Sequence, residues 1–278
     1  MIDTHAHIHD EMFDVDREEM LLRAFGGGVK RIITIGTSIS ESEDALAAAK
    51  KYDNIFATVA VHPEKYSKLP DKETRNLWMK CLGKLAMDSK VVAIGECGLD
   101  YHAFNTVAVT EKQKESQKIG FRDHLELAKH IGKPVVIHAR ESYRDVLEIA
   151  REYVGDIPFV VLHCYQGDTE VTEEFLNLDE RVLFSFAGNI TYPVKKSLVG
   201  TKGDILESIR LIPIERMLTE TDCPYLAPQA YRGTRNEPAY VMEVARKIAE
   251  VKKVSFKEVE RATEENAKRC FFGDVLNE

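Results

Sequence analysis

The stretch MIDTHAHIHD carries His5 and His7 two residues apart, with Asp3 and His9 in the same phase. Side chains on an extended strand alternate, so Asp3, His5 and His7 share one face. Two imidazoles then converge on one point. An HxH pair is a weak metal signal by itself. It gains force because other short apolar segments also end in ligand-type residues: His62, Glu96, His138, His163 and Asp222. Imidazole mixed with carboxylate suits Zn, Mn, Fe or Ni and, with more carboxylate and water, Mg. A catalytic ion usually takes about three protein ligands and keeps an open position. His5, His7, His138 and His163 with Glu96 and Asp222 exceed that number and fit two divalent ions sharing a carboxylate. Two ions about 3.5–4 Å apart stabilise both the entering and the leaving oxygen of a hydrolytic displacement. Glu96 is the natural bridge, since its strand lies between the first and the fifth. Asp222 is placed to bind the first ion and to take a proton from the attacking water, which demands hydrogen-bond reach.

The elements that must position these groups follow from the hydrophobic pattern. Val- and Ile-rich runs predict strands near 2–7, 31–37, 55–61, 91–96, 134–138, 159–163, 182–187 and 217–222. Continuous apolar runs, rather than strict alternation, indicate strands covered on both faces. Helices are expected near 14–25, 40–51, 72–88, 111–131, 142–154, 169–178, 203–210, 237–252 and 255–271. Gly132 and Pro134 stop the fourth, and Ser255 with Glu258 fits a capping box for the last. Repeated β-then-α units imply parallel strands with right-handed crossovers. The economical solution is a (β/α)8 barrel of the TIM type, α/β in class, in which the C-terminal rim of the strands carries the active site. A typical barrel of this kind has about 250 residues, and the 278 residues, with no repeat or linker to divide them, read as a single domain over 1–278.

A net charge of −8 rules out a surface that binds polyanions everywhere, so nucleic acid would need a local patch or metal ions. Five cysteines without a CxxC pair indicate reduced thiols and a cytoplasmic protein. No signal-peptide succession and no membrane-length apolar run is present, so no membrane association is expected. Cys97, Cys164 and Cys223 each follow a candidate ligand, and strand alternation turns them toward the helices. His124 and His130 lie in a helical pattern away from the rim and read as structural, while His102 is placed to line the mouth.

Together, IDTHAHI, AVHP, AIGECGLDYH, KPVVIHARES, FVVLHCYQG, LTETDCPYLAP, RGTRNEPAYV and EENAKRCFFG resemble the TatD-type metal-dependent deoxyribonucleases, a branch of the amidohydrolase-like barrels. The resemblance spans essentially the whole chain. It implies one metal at His5, His7 and Asp222, a second at His138 and His163, and Glu96 between them. It also implies that His62 contacts the scissile phosphate and that Asp222 is the general base. The family pattern has Asp or Asn where this chain has His9, and more often HCFSG where it has HCYQG. The implied activity is hydrolysis of DNA phosphodiesters, with 3′-to-5′ exonuclease action, by two divalent ions. The donor set does not separate Zn, Mn, Mg and Ni; Mg or Mn is the expected ion in use.

An acidic chain should bind extended duplex poorly, because that affinity grows with the phosphates neutralised by Lys and Arg. Single-stranded DNA or frayed ends are therefore the expected substrate, and a monomer the expected state. Arg140, Arg144, Lys195, Lys196, Lys202, Arg232 and Arg235 fall near the rim, and Tyr101, Tyr165, Phe186, Tyr192 and Tyr225 are candidates to stack bases. Tyr101, His102, Arg140 and Arg232 are the expected substrate contacts. One rival is an amidohydrolase-like enzyme acting on a small ester, amide or phosphoester, often built around a carboxylated lysine. Lys133 begins its strand and lies at the wrong end for that role. A catalytically silent interaction module is the other rival, but such a protein should have lost ligands, and none of the six is missing.

Overall fold

The computed structural model describes residues 1–66, 68–103 and 108–273. Eight parallel strands stand side by side in chain order: β1 (Ile2–Ala6), β2 (Arg31–Ile35), β3 (Ile55–Val59), β4 (Val91–Asp100), β5 (Val135–Arg140), β6 (Val160–Leu162), β7 (Val182–Phe186) and β8 (Met217–Thr219). Between them run α1 (Arg17–Gly26), α2 (Ile39–Lys51), α3 (Lys72–Leu85), α4 (Glu111–Ile131), α5 (Tyr143–Tyr153), α6 (Thr169–Leu178) and α7 (Ile205–Leu211); α8 (Val241–Lys252) and α9 (Phe256–Phe271) follow the last strand. This is the expected (β/α)8 barrel.

Local chemistry sets the helix starts. Asp71 and Asp168 accept hydrogen bonds from Thr74 N and Val171 N, satisfying first-turn amides. A reciprocal capping box forms at Thr110 and Gln113. At Ser255 only the forward half of the expected box is present, Glu258 N donating to Ser255 Oγ. The α4 helix ends at Gly132, whose φ of 72° is the left-handed conformation that glycine adopts without steric cost.

The core has two layers. A large cluster, including Met20, Leu46, Leu125, Ala128, Val146 and Ile149, packs the outer strand faces against the helices. A smaller cluster of Ile33, Ile35, Val136, Val161, Leu183 and Leu218 meets Cys270 and Phe271 of α9, which close the end where the strands begin. Each such buried aliphatic side chain contributes roughly 1.5–3 kcal/mol.

Ladder pairing runs from β1 to β8, and the β8–β1 seam is closed by other means. Asp222 N donates to His5 O at 2.8 Å and His7 N to Cys223 O at 2.7 Å. Thr221 donates from N (2.9 Å) and Oγ1 (2.6 Å) to the buried Asp3 carboxylate, and Thr4 Oγ1 donates to Thr219 O at 3.2 Å. Residues flanking the candidate ligands thus hold the barrel shut.

Six strands, β1, β2, β3, β6, β7 and β8, end one to three residues earlier than the apolar runs suggest, β8 by the most. The chain leaves the ladder after Leu162 and Thr219, and Cys164 and Asp222 take positive φ values of 44° and 57°. The β4 strand instead runs on to Asp100, because its second half pairs with β5 through Gly98↔His138 and Asp100↔Arg140. Gly98, at φ +136°, makes this approach possible: a Cβ there would lie 2.1 Å from His138 O. We expect Gly98→Ala to force β4 and β5 apart and to destabilise the fold by at least about 1–3 kcal/mol, the scale of one strained backbone position. Urea unfolding measures this, and an unchanged midpoint would refute the constraint.

Candidate metal centre

Glu96 is the hub of the site. It is 4 % exposed, on β4 between the first and fifth strands. Its Oε1 lies 2.6 Å from His138 Nδ1, 3.0 Å from His163 Nε2 and 3.6 Å from His62 Nε2. Its Oε2 lies 3.4 Å from His5 Nε2. Across the seam, Asp222 Oδ1 lies 3.5 Å from His5 Nε2 and 3.4 Å from His7 Nε2. The residues expected as ligands or catalytic groups, His5, His7, His62, Glu96, His138, His163 and Asp222, are therefore all brought together.

The donor set fits a metal. His5 is fully buried, yet neither Nδ1 nor Nε2 has a hydrogen-bond partner. An unsatisfied buried polar atom costs about 1–3 kcal/mol, so such an imidazole implies a missing acceptor of its lone pair. An ion about 2.0–2.2 Å from each ligand separates neighbouring donors by roughly 3–3.5 Å, close to the spacings above. Donor atoms fall into groups able to hold an ion: His5, His7 and Asp222; His5, Glu96 and His163; His62, Glu96 and His138. This clustering differs from the division implied by the resemblance. His163 groups with His5 rather than with His138, and His62 joins His138 at Glu96.

Electrostatics follow from carboxylates crowded among imidazoles. Burial alone would raise the Glu96 carboxyl, but His163, His138 and His5 outweigh it and hold it well below its ordinary value. Asp222 is likewise lowered against its burial, by His7, His5 and His163. Burial pulls His138 down, yet hydrogen bonds to Asp100 and Glu96 push it up to about 9. Burial also opposes the charge on His163, and Glu96 and Glu220 overcome it to hold the imidazole well above its usual range. On His5 burial wins, with His163 adding to it, and the imidazole is lowered.

Two carboxylates missed in the sequence complete this arrangement. Asp100 Oδ2 lies 2.9 Å from His138 Nε2. Glu220 Oε1 lies 3.1 Å from His163 Nδ1 and accepts from Cys164 N at 2.7 Å. Carboxylates in this position orient metal-binding imidazoles and raise their basicity. The signal for Glu220 was its two-residue spacing from Asp222, the same period that singled out His5 and His7.

The mouth above is a space of about 820 Å³ lined by His7, His9, His62, His138 and His163, with Arg140 and Lys65 among the acids Asp10, Glu41, Asp44 and Glu64. Beside it lies a cleft of about 740 Å³ lined by Tyr101, His102, Arg140, Tyr143 and Arg144; Arg140 lines both. Tyr101 donates to Asp145 at 2.7 Å, and His102 Nδ1 lies 2.5 Å from Glu141. Arg232 stands over the Tyr192 ring at 4.2 Å and lines neither space. Other expected contacts are occupied elsewhere. Arg144 pairs with Glu170 and Glu174, Lys202 with Glu170 and Arg235 with Asp16. Tyr165 and Phe186 are fully buried core residues rather than stacking surfaces.

Cys97 and Cys223 pack in the outer cluster, as alternation predicts. Cys164 departs from it. Its φ of 44° breaks the alternation, and its Sγ accepts from Asn189 Nδ2 at 3.5 Å. Burial and the nearby Asp222, Glu220 and Glu96 carboxylates hold that thiol well above its usual range. His9 Nδ1 meets Thr34 Oγ1 at 2.9 Å, and burial lowers the ring to about 4. His124 is a satisfied core histidine: Val61 N donates to its Nε2 at 3.0 Å, and its Nδ1 lies 2.7 Å from Gly120 O. His130 is exposed. Lys133 lies at the start of β5 with Nζ on Val91 O, away from the mouth.

Residues 2–272 match the family described as TatD related DNase. The chain belongs to this family. Within it, the chain is 37 % identical over 271 residues to the uncharacterized metal-dependent hydrolase YabD of Bacillus subtilis (strain 168), covering 98 % of each sequence. It is 32 % identical over 276 residues to a protein of Cronobacter sakazakii named 3'-5' ssDNA/RNA exonuclease TatD, covering 98 % of this chain and 97 % of that one. The crystal structure of the TatD homologue YJJV from Escherichia coli K12 superposes with a TM-score of 0.84 at 27 % identity, covering 98 % and 97 % of the two chains. The protein is thus a metal-dependent hydrolase of the TatD family, and no described helix is long and apolar enough to cross a membrane.

If Glu220 positions His163 as a ligand, Glu220→Ala should weaken divalent-metal affinity about 10–100-fold while the circular dichroism spectrum is retained. Competition with a chromophoric chelator reads this directly. Unchanged affinity would make Glu220 a structural residue only.

Proposed function

We propose that this protein hydrolyses phosphodiester bonds in DNA from single-stranded or frayed ends, in the 3′-to-5′ direction, using two divalent ions. The observation that carries the reading is the Glu96 hub, one buried carboxylate within 3.6 Å of the nitrogens of His5, His62, His138 and His163. In this proposal His5, His7 and Asp222 hold one ion, His138 and His163 hold the other, and Glu96 is common to both. The ions, when bound, supply positive charge to the phosphate oxygens and lower the pKa of water.

The chain's own residues do the rest. Asp222 stays ionised through the neutral range, because imidazoles hold its carboxyl down. It takes the proton of the attacking water. His62, half-buried at the mouth, donates to the scissile phosphate. Arg140, exposed and lining the mouth, supplies a charge-assisted contact to a neighbouring phosphate. The acids Asp10, Glu11, Glu41, Asp44 and Glu64 around the mouth repel a long polyanion lying across it. They favour a strand that presents its end. The Cronobacter relative's name, a ssDNA/RNA exonuclease, supports the same substrate class.

End-labelled single-stranded DNA tests this. Turnover should vanish in excess chelator and return with divalent ion. Asp222→Asn should lower kcat by about 10²–10⁴, the usual contribution of a general base; wild-type turnover by that variant would remove Asp222 from the role. His62→Ala should slow turnover with its metal content intact, and loss of metal on that change would make His62 a ligand instead.

A further inference from the structure

Tyr225 is the large non-histidine aromatic side chain among the described residues lining the mouth. Its two halves behave differently. The backbone is pinned: Tyr225 N donates to Asp222 O at 3.0 Å, and Asn236 Nδ2 donates to Tyr225 O at 2.6 Å. Asn236 is itself fully buried and also donates to Thr221 O at 2.8 Å. The residue is nonetheless 52 % exposed. Its ring meets His7 edge-on, with centroids 6.0 Å apart, and its hydroxyl reaches Asp10 only at 3.4 Å. The other aromatics expected to stack bases are occupied. Tyr165 and Phe186 are buried, Tyr192 lies under Arg232, and Tyr101 is tied to Asp145.

An aromatic ring on a pinned backbone, left uncovered three residues from Asp222, presents a π face to whatever adjoins the reacting phosphate. In a nucleotide that neighbour is a flat base. We propose that Tyr225 is a stacking platform for the unpaired base flanking the scissile phosphate. This rests on the phosphodiesterase reading above and deepens it. Every base has a π face, so the platform selects nucleic acid over small phosphoesters without selecting sequence. A base inside a duplex must first leave its own stack to reach the ring, which costs a few kcal/mol. The platform therefore favours single strands and frayed ends through stacking, in addition to charge.

The test crosses the enzyme residue with the substrate base. Single-stranded oligonucleotides carry either an intact base or an abasic sugar at each of the two positions flanking the terminal phosphodiester. At one of these positions, wild-type kcat/KM should fall roughly 5- to 150-fold on base removal, the range for one aromatic–base stack. Tyr225→Ala should show a similar loss on the intact strand and no further loss on the abasic one, while Tyr225→Phe keeps wild-type behaviour. In binding, a 2-aminopurine at that position, in a slowly cleaved phosphorothioate strand, should be quenched by the metal-loaded wild type and by Tyr225→Phe, but not by Tyr225→Ala. Equal losses by Tyr225→Ala on intact and abasic strands would make the ring a support for His7 and overturn the proposal. Unchanged rates, or equal quenching by Tyr225→Ala, would overturn it as well. Failure of the loaded wild type to cleave any of these strands would overturn the phosphodiesterase reading itself, and the platform with it.

Discussion

A buried imidazole whose two nitrogens both lack a partner is an unstable thing to build, and His5 is one. It is packed ring to ring against His163, with centroids 3.9 Å apart, and faces two carboxylates at distances too long for good hydrogen bonds. Water has little access and no protein donor completes the arrangement. In the proposed reading a cation at the lone pair completes it and also offsets the charge of Glu96 and Asp222. The neighbouring groups behave accordingly. In the protein alone, protons on His138 and His163 balance the carboxylates. Ligation requires neutral imidazole, so metal binding at these residues, as proposed, would exchange those protons for a more concentrated charge.

The barrel is organised around holding this cluster. Parallel strands deliver side chains from distant parts of the sequence to one rim. The β8–β1 seam, which no ladder spans, is joined by the backbone of His5 and His7 bonding to Asp222 and Cys223. The same short segments therefore close the barrel and carry three donors. Asp3, tied to Thr221 and raised by burial to about 8, belongs to this seam rather than to the ligand cluster. Behind the donors, Asp100 and Glu220 fix the orientation of His138 and His163.

Much of this was legible in the sequence because it depends on period and position. Apolar runs spaced by helical segments specify the barrel, and α4 and α6 occupy the spans that periodicity and capping residues predict. Ligand-type residues at strand ends point to one rim. What was not legible depends on local backbone departures and on which polar groups meet. The positive φ at Asp222 and Cys164 shortens β8 and β6 and turns Cys164 away from the helix layer. Glu220 reads as one more acid until its oxygen is seen against His163. Most of the rim's arginines and tyrosines carry no sequence mark to separate those paired with a neighbour from those left facing the mouth. Only packing distinguishes Tyr165, buried against Phe184, from Tyr225, uncovered beside His7.

The central claim is that these imidazoles and carboxylates are assembled to hold a pair of cations. Anomalous diffraction from crystals of the metal-loaded protein addresses it most directly. The account predicts two peaks about 3.5–4 Å apart, one among His5, His7 and Asp222 and one beside His138 and His163, with Glu96 reaching both. A single peak, or peaks outside this cluster with His5 still unliganded, would contradict it.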